Sequence, residues 1–61
     1  MIEAIKQLDG MKVFIALDTG SRIIGVLTYF NESHVELTTH NNTYHIHPES
    51  VRTIREYKNG N

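Results

Sequence analysis

The chain has 61 residues, no cysteine, and six basic against seven acidic residues, for a formal net charge of −1. This length allows one domain near the lower size limit for independent folding, and the lack of cysteine excludes disulfides and thiolate zinc sites. The basic residues are scattered, whereas a dedicated duplex-binding protein needs a concentrated positive patch. No apolar run is long enough for a transmembrane helix or signal peptide, so a cytoplasmic protein without membrane contact is expected.

The first segment has the spacing of one helical face. Ile2, Ile5 and Leu8 are three residues apart, and Gly10 follows them. This pattern predicts a short helix over residues 2–9, ended by the glycine. Two turns of helix are marginal alone, so the helix needs a surface to pack against.

From Met11 the apolar period changes to two, which predicts strands over residues 11–57. "MKVFIAL" is predicted to form the first strand. "DTGS" has the composition of a turn and leads into the second strand, "RIIGVLTYFN". Because the second strand is apolar on both faces and contains Gly25, we expect it to be buried on both sides and sharply bent there. Residues 58–61 are predicted to be a frayed tail.

Asn41-Asn42 lies between two alternating segments and predicts a two-residue type I′ turn. In that register Leu37 faces Ile46 and Glu36 faces His47. One face of the hairpin is then apolar: Val35, Leu37, Tyr44 and Ile46. The other face is polar: His34, Glu36, Thr38, His40, His45 and His47.

"PES" ends the fourth strand tightly, and "VRTIREY" forms the fifth. Five short strands cannot make two packed sheets, so one strongly bent antiparallel sheet curling into a small barrel is the economical solution. The predicted fold class is mainly β: an SH3-like small barrel with a short N-terminal helix, forming a single domain over residues 1–61.

Two segments resemble the signatures of the Sm/LSm (Sm-like, Hfq-related) family of ring-forming RNA-binding proteins. The first signature matches Leu17, Gly20, Gly25, Leu27, Phe30 and Asn31, and "IHPESVRTI" lies in register on the second. The resemblance covers about residues 2–57. It implies an Sm-like barrel that assembles with itself into a homo-oligomeric ring of about five to eight subunits. Neighbours in such a ring pair the fourth strand of one subunit with the fifth strand of the next.

The resemblance also implies binding of single-stranded RNA by pore-proximal loops, here residues 31–33 and 47–50. The candidate nucleic-acid-binding residues are Asn31, Ser33, His47, Glu49, Ser50 and Arg52. Asn31 is expected to fix its own loop as well as to border the ligand.

The sequence departs from the family pattern at the positions that bind bases. Ser33, Val35 and His47 stand where relatives carry a stacking side chain, an asparagine and an arginine. Ala16 replaces a tyrosine that binds purine-rich RNA in Hfq proteins. Glu32 and Glu49 would form acidic circles around a pore and repel phosphate.

The four histidines suggest the hypothesis of a metal site. His45 and His47 share a face and Glu36 lies opposite His47, so these three side chains are its candidate ligands. A solvent-facing polar strand explains the same residues, and no metal or cofactor is predicted. Because imidazoles ordinarily titrate near pH 6.5, the histidines would also make a ring more positive in mild acid. Phe30 and Tyr29 could each stack on a base. Phe30 is expected in the core instead, and base stacking is the less favoured role for Tyr29.

Catalysis has no support in the sequence, which lacks an activated serine context, cysteine and paired carboxylates across a cleft. The favoured function is an Sm-like ring that binds single-stranded nucleic acid, with a role in RNA processing or chaperoning. The alternative is a small barrel that serves as a protein-interaction or assembly module without RNA binding.

Overall fold

The computed structural model describes residues 1–58, and the rest of the predicted tail, residues 59–61, lies outside that range. One helix precedes five strands, and a 3₁₀ turn at Pro48–Ser50 separates the last two. The elements are α1 (Ile2–Gln7), β1 (Lys12–Leu17), β2 (Arg22–Asn31), β3 (His34–Thr38), β4 (Thr43–Ile46) and β5 (Val51–Glu56). Within the described range, no helix is long and apolar enough to cross a membrane.

Helix α1 ends two residues before the predicted boundary and is fastened to β2. Its Ile5 is fully buried, and Gly10, at φ 83°, turns the chain after the helix. The Gly10 amide donates to the Leu27 carbonyl (2.7 Å), and the Tyr29 amide donates to Asp9 Oδ1 (2.9 Å). The helix therefore packs one apolar side chain into the core, while one backbone bond and one bond to the Asp9 side chain hold the segment after it on the second strand.

The strands form one antiparallel sheet in the order β4-β3-β2-β1-β5. The first half of β2 pairs with β1 and the second half pairs with β3, with Val26 shared by both registers. At Gly25 an added Cβ would lie 2.6 Å from the Thr38 carbonyl oxygen, so only glycine lets the two strands approach this closely. The predicted helix followed by five bent antiparallel strands is confirmed, but the sheet is not closed, since β4 and β5 remain its two edges.

A small apolar core lies on the inner face of the sheet. Its buried members are Ile5, Val13, Ile15, Leu27, Val35, Leu37, Ile46 and Val51. Apart from Ile5, which lies on helix α1, these are the inward strand positions that period-two alternation predicts. The predicted burial of both faces of β2 is wrong for this chain, because Ile24 and Val26 on the outer face are 40% and 43% exposed.

The β3–β4 hairpin has a different turn and register from those predicted. Thr39 Oγ1 accepts hydrogen bonds from the Asn41 and Asn42 amides (3.3 and 3.1 Å). The connection is thus a four-residue loop, residues 39–42, and no non-glycine residue within 1–58 has the positive φ of a type I′ turn. The register shifts by two, which keeps every side chain on its predicted face. It places His45, rather than His47, opposite Glu36.

Candidate nucleic-acid interface

The β2–β3 loop is a tight turn held by Asn31. The Asn31 side chain accepts a hydrogen bond from the Ser33 amide through Oδ1 at 2.8 Å. Asparagine commonly stabilises a turn in this way, by bonding the backbone two residues on. Asn31 therefore has the loop-fixing role predicted for it, and it sets the position of Ser33.

The β4–β5 turn is a second fixed segment. The Ser50 amide donates to the His47 carbonyl (2.8 Å), and the Ser50 carbonyl accepts from the Asp18 amide (2.9 Å). Pro48, at the start of this 3₁₀ turn, is buried. These contacts anchor the turn to the β1–β2 connection and leave the His47 side chain exposed.

The two segments meet beside the start of α1 around an open cavity of about 560 Å³. Seven residues line the cavity: Met1, Ile2, Glu32, Ser33, His47, Pro48 and Glu49. The loop after β2, the turn after β4 and the helix N-terminus thus supply one concave surface. Concave surfaces with apolar walls and a few polar groups are the usual form of small ligand sites.

The structure brings together only part of the predicted set. Ser33, His47 and Glu49 line the cavity, and Asn31 borders it through its bond to Ser33. Ser50 and Arg52 do not line it: Ser50 is occupied in anchoring the turn, and Arg52 is exposed on β5. Sequence reasoning missed Met1 and Ile2, because no local signal tells where the helix start lies relative to the sheet.

The charge of the cavity is mixed, with an acidic bias. Glu32 and Glu49 both line it, and His47 is the one side chain among the lining residues that can carry a positive charge. Carboxylates repel phosphate groups at short range. The surface is therefore better suited to a base or ribose than to the phosphate backbone of a nucleic acid.

Of the two aromatic residues at the end of β2, the one predicted to lie in the core is exposed. Phe30, expected in the core, is 52% exposed and stacks on the His34 ring, with centroids 4.6 Å apart. Tyr29 is the one that packs against the core, with the Lys6 ammonium 5.9 Å from its ring centroid. Strand alternation explains why the core prediction for Phe30 is wrong, because Leu27 and Tyr29 share the inner face and Phe30 points the other way.

Both edge strands present unpaired backbone donors along the described sheet. The Thr39 amide donates to the Asn42 carbonyl, and antiparallel bonding alternates from that pair, so the amides of Thr43 and His45 point away from β3. On the other edge, the Tyr57 amide donates to Lys12, which by the same alternation leaves the Ile54 amide pointing outward. Each edge can therefore accept a further strand.

No family model and no curated protein matches the chain. A solved structure does match, with a TM-score of 0.77 over 93% of this chain and 89% of the other, at 15% sequence identity. The open five-stranded sheet behind a short helix is therefore the Sm-like fold, which confirms the predicted fold class. The matching structure is a crystal structure of Hfq, described as a pleiotropic translational regulator.

Proposed function

We propose that this chain assembles into an Sm-like homo-oligomeric ring that binds single-stranded RNA through the cavity at Ser33, His47 and Glu49. The observation that carries this proposal is the meeting of the β2–β3 loop and the β4–β5 turn around one open cavity. The fold that this chain shares with a translational regulator supports a role in RNA processing or chaperoning.

The two open edges support the ring. Strands β4 and β5 lie at opposite ends of the sheet, so β4 of one copy pairs with β5 of the next, and repetition closes a cycle. Pairing satisfies the outward amides on both edges and removes exposed strand edges, which are a route to aggregation. It also adds burial to a domain whose core, within residues 1–58, contains eight buried apolar residues.

The cavity supports contact with bases more than with phosphates. The His47 imidazole can stack on a base or hydrogen-bond its edge, as ring side chains do in single-strand recognition. Glu32 and Glu49 weaken phosphate binding around it. We therefore propose weak, selective RNA binding with a small salt dependence, rather than the electrostatic binding of a basic ring.

The proposal includes a non-enzymatic role in the cytoplasm. The cavity is open to solvent and shaped by tight turns, and it has little means of excluding water from a reaction. Binding and release of a strand need no such exclusion.

A protein-interaction module is the second candidate, and the outer face of the sheet favours it. Ile24 and Val26 are exposed there, and the register places Phe14 opposite Ile24. Three apolar side chains on adjacent strands form a surface that a protein partner could cover without any nucleic acid.

Light scattering and fluorescence anisotropy together test the proposal. We expect a mass that is a multiple of the 7.0 kDa chain and saturable binding of labelled oligo-U or oligo-A at low salt. Asn31→Ala and His47→Ala should each weaken RNA binding without changing the mass. His40→Ala is the matched control, because His40 is exposed in the β3–β4 loop, away from the cavity.

The outcomes separate the two parts of the proposal. A monomeric mass rejects the ring, and a ring without oligonucleotide binding favours the interaction module. If Asn31→Ala or His47→Ala dissociates the assembly, these residues support the ring rather than the ligand.

A further inference from the structure

A compact cluster of three metal-binding side chains lies on the outer face of the β3–β4 hairpin. His34 and Glu36 are two residues apart on β3 and therefore share a face, and His45 on β4 lies directly opposite Glu36 in the register. The cluster shares no residue with the cavity at His47, so the role proposed for that cavity does not account for it.

The three potential ligand atoms form a nearly equilateral triangle. His34 Nε2 is 3.0 Å from Glu36 Oε2 and 3.3 Å from His45 Nδ1, and His45 Nδ1 is 3.4 Å from Glu36 Oε2. A tetrahedral zinc site with bonds of about 2.05 Å has ligand–ligand edges of about 3.3 Å. The triangle therefore matches three corners of such a site, and a point about 0.8 Å above its plane is about 2.05 Å from all three atoms.

The surroundings favour a site that is partly organised and open on one side. The Glu36 side chain is 22% exposed and the His34 side chain is 41% exposed. Phe30 stacks on the His34 ring at an interplanar angle of 17° and restricts its orientation. His45 is the adjustable ligand, since its side chain is 70% exposed and its χ2 torsion is soft.

One rotation is needed before the ligands can share an ion. The His34 and His45 rings are stacked at 20° to each other with centroids 5.3 Å apart, whereas an imidazole binds a metal in its own plane along the nitrogen lone pair. We expect the exposed His45 ring to turn about χ2 when an ion binds. The turn redirects the Nδ1 lone pair and also moves Nδ1 itself, so the distances above describe the cluster before that rotation.

We propose that His34, Glu36 and His45 bind one divalent transition-metal ion, with Zn²⁺ as the physiological candidate and water as the fourth ligand. Two imidazoles and one carboxylate with an open fourth position are a donor set that zinc accepts, whereas Mg²⁺ and Ca²⁺ prefer oxygen ligands. The ion joins β3 to β4 within one chain, so the site forms in a monomer as well as in a ring. This differs from the trio considered in the sequence, which was Glu36, His45 and His47. The observed register places His45 opposite Glu36, and His34 takes the place of His47 in the cluster.

Isothermal titration with ZnCl₂ on the intact chain tests the site. We expect one ion per chain, binding roughly tenfold or more weaker in Glu36→Gln and in His34→Ala, and no measurable heat with MgCl₂. His40→Ala and His47→Ala are the matched controls, because each removes a histidine outside the cluster, and both should bind zinc as the unmodified chain does.

A second readout identifies the ligands directly. In NMR spectra, zinc should shift the imidazole signals of His34 and His45 and leave those of His40 and His47 in place, while far-UV circular dichroism checks that each variant is folded. Equal zinc affinity in Glu36→Gln and the unmodified chain overturns the proposal. So does loss of binding in His47→Ala, or binding only at millimolar zinc, and the three side chains then form a hydrogen-bonded cluster.

Discussion

His45 lies directly across the β3–β4 ladder from Glu36, with its Nδ1 3.4 Å from Glu36 Oε2. This pairing joins two features of the outer face. His45 belongs to the edge strand that the ring proposal uses, and its side chain completes the cluster with His34. The ring proposal uses the backbone amide of this residue and the metal proposal uses its side chain, so different substitutions at this residue test the two proposals separately.

Replacing His45 tests the strand-edge contact. The His45 amide points away from β3, so His45→Pro removes a donor from the outer edge without breaking a bond inside the chain. We expect the mass measured by light scattering to fall towards the 7.0 kDa of one chain. His45→Ala keeps the amide and should keep the mass of the assembly.

Tyr44→Pro is the contrasting variant, since the same alternation directs its amide to β3 and its loss should unfold the hairpin. An unchanged mass for folded His45→Pro would show that this edge is not an assembly contact.

Removing the acidic groups of the cavity tests the proposed RNA contact there. The double variant Glu32→Gln/Glu49→Gln should bind oligo-U roughly twofold to tenfold more tightly at low salt, because two charges that repel phosphate are lost. The gain should shrink as salt shortens the screening length. Fluorescence anisotropy at two salt concentrations measures it, and equal affinity in both proteins would place the RNA elsewhere.

Gly25→Ala tests the bend of β2. A Cβ at this position would lie 2.6 Å from the Thr38 carbonyl oxygen, which is backbone and cannot rotate away. We expect a loss of about 1–3 kcal/mol in the free energy of unfolding, measured by urea denaturation. Val26→Ala, at the exposed neighbouring position, should cost less than about 1 kcal/mol. A stable Gly25→Ala would mean that the strands can separate at this point at little cost.

Comparing Phe30→Ala with Leu27→Ala tests which β2 side chains belong to the core. Phe30 is 52% exposed and Leu27 is fully buried. Removing Phe30 should cost about 1 kcal/mol, mainly the stacking on His34, whereas Leu27→Ala should cost about 2–5 kcal/mol. Thermal or urea unfolding of both variants measures the difference. A larger loss of unfolding free energy for Phe30→Ala than for Leu27→Ala would mean that Phe30 is a core residue after all.

Period-two alternation predicted most of the inner face, although Tyr44, also expected there, is 39% exposed. Val13, Ile15, Leu37 and Ile46 are all buried as their spacing requires. The same rule also put His34, Glu36 and His45 on one face. The wrongly predicted turn did not change this, because a register shift of two residues leaves each side chain on the same face of the sheet. The rule gave no means of choosing between His45 and His47 as the partner of Glu36, since both lie on that face.

The sequence by itself determined the order of the elements, the inner and outer faces of the strands and the glycine at the bend. These properties depend on local spacing and on the size of single side chains. Only the tertiary structure decided that the sheet stays open at β4 and β5 and that the start of α1 borders the cavity. It also decided that three potential metal-ligand atoms meet outside the cavity. Such features depend on strand register and on the packing of segments distant in sequence, where a shift of one or two residues moves a side chain by several ångströms.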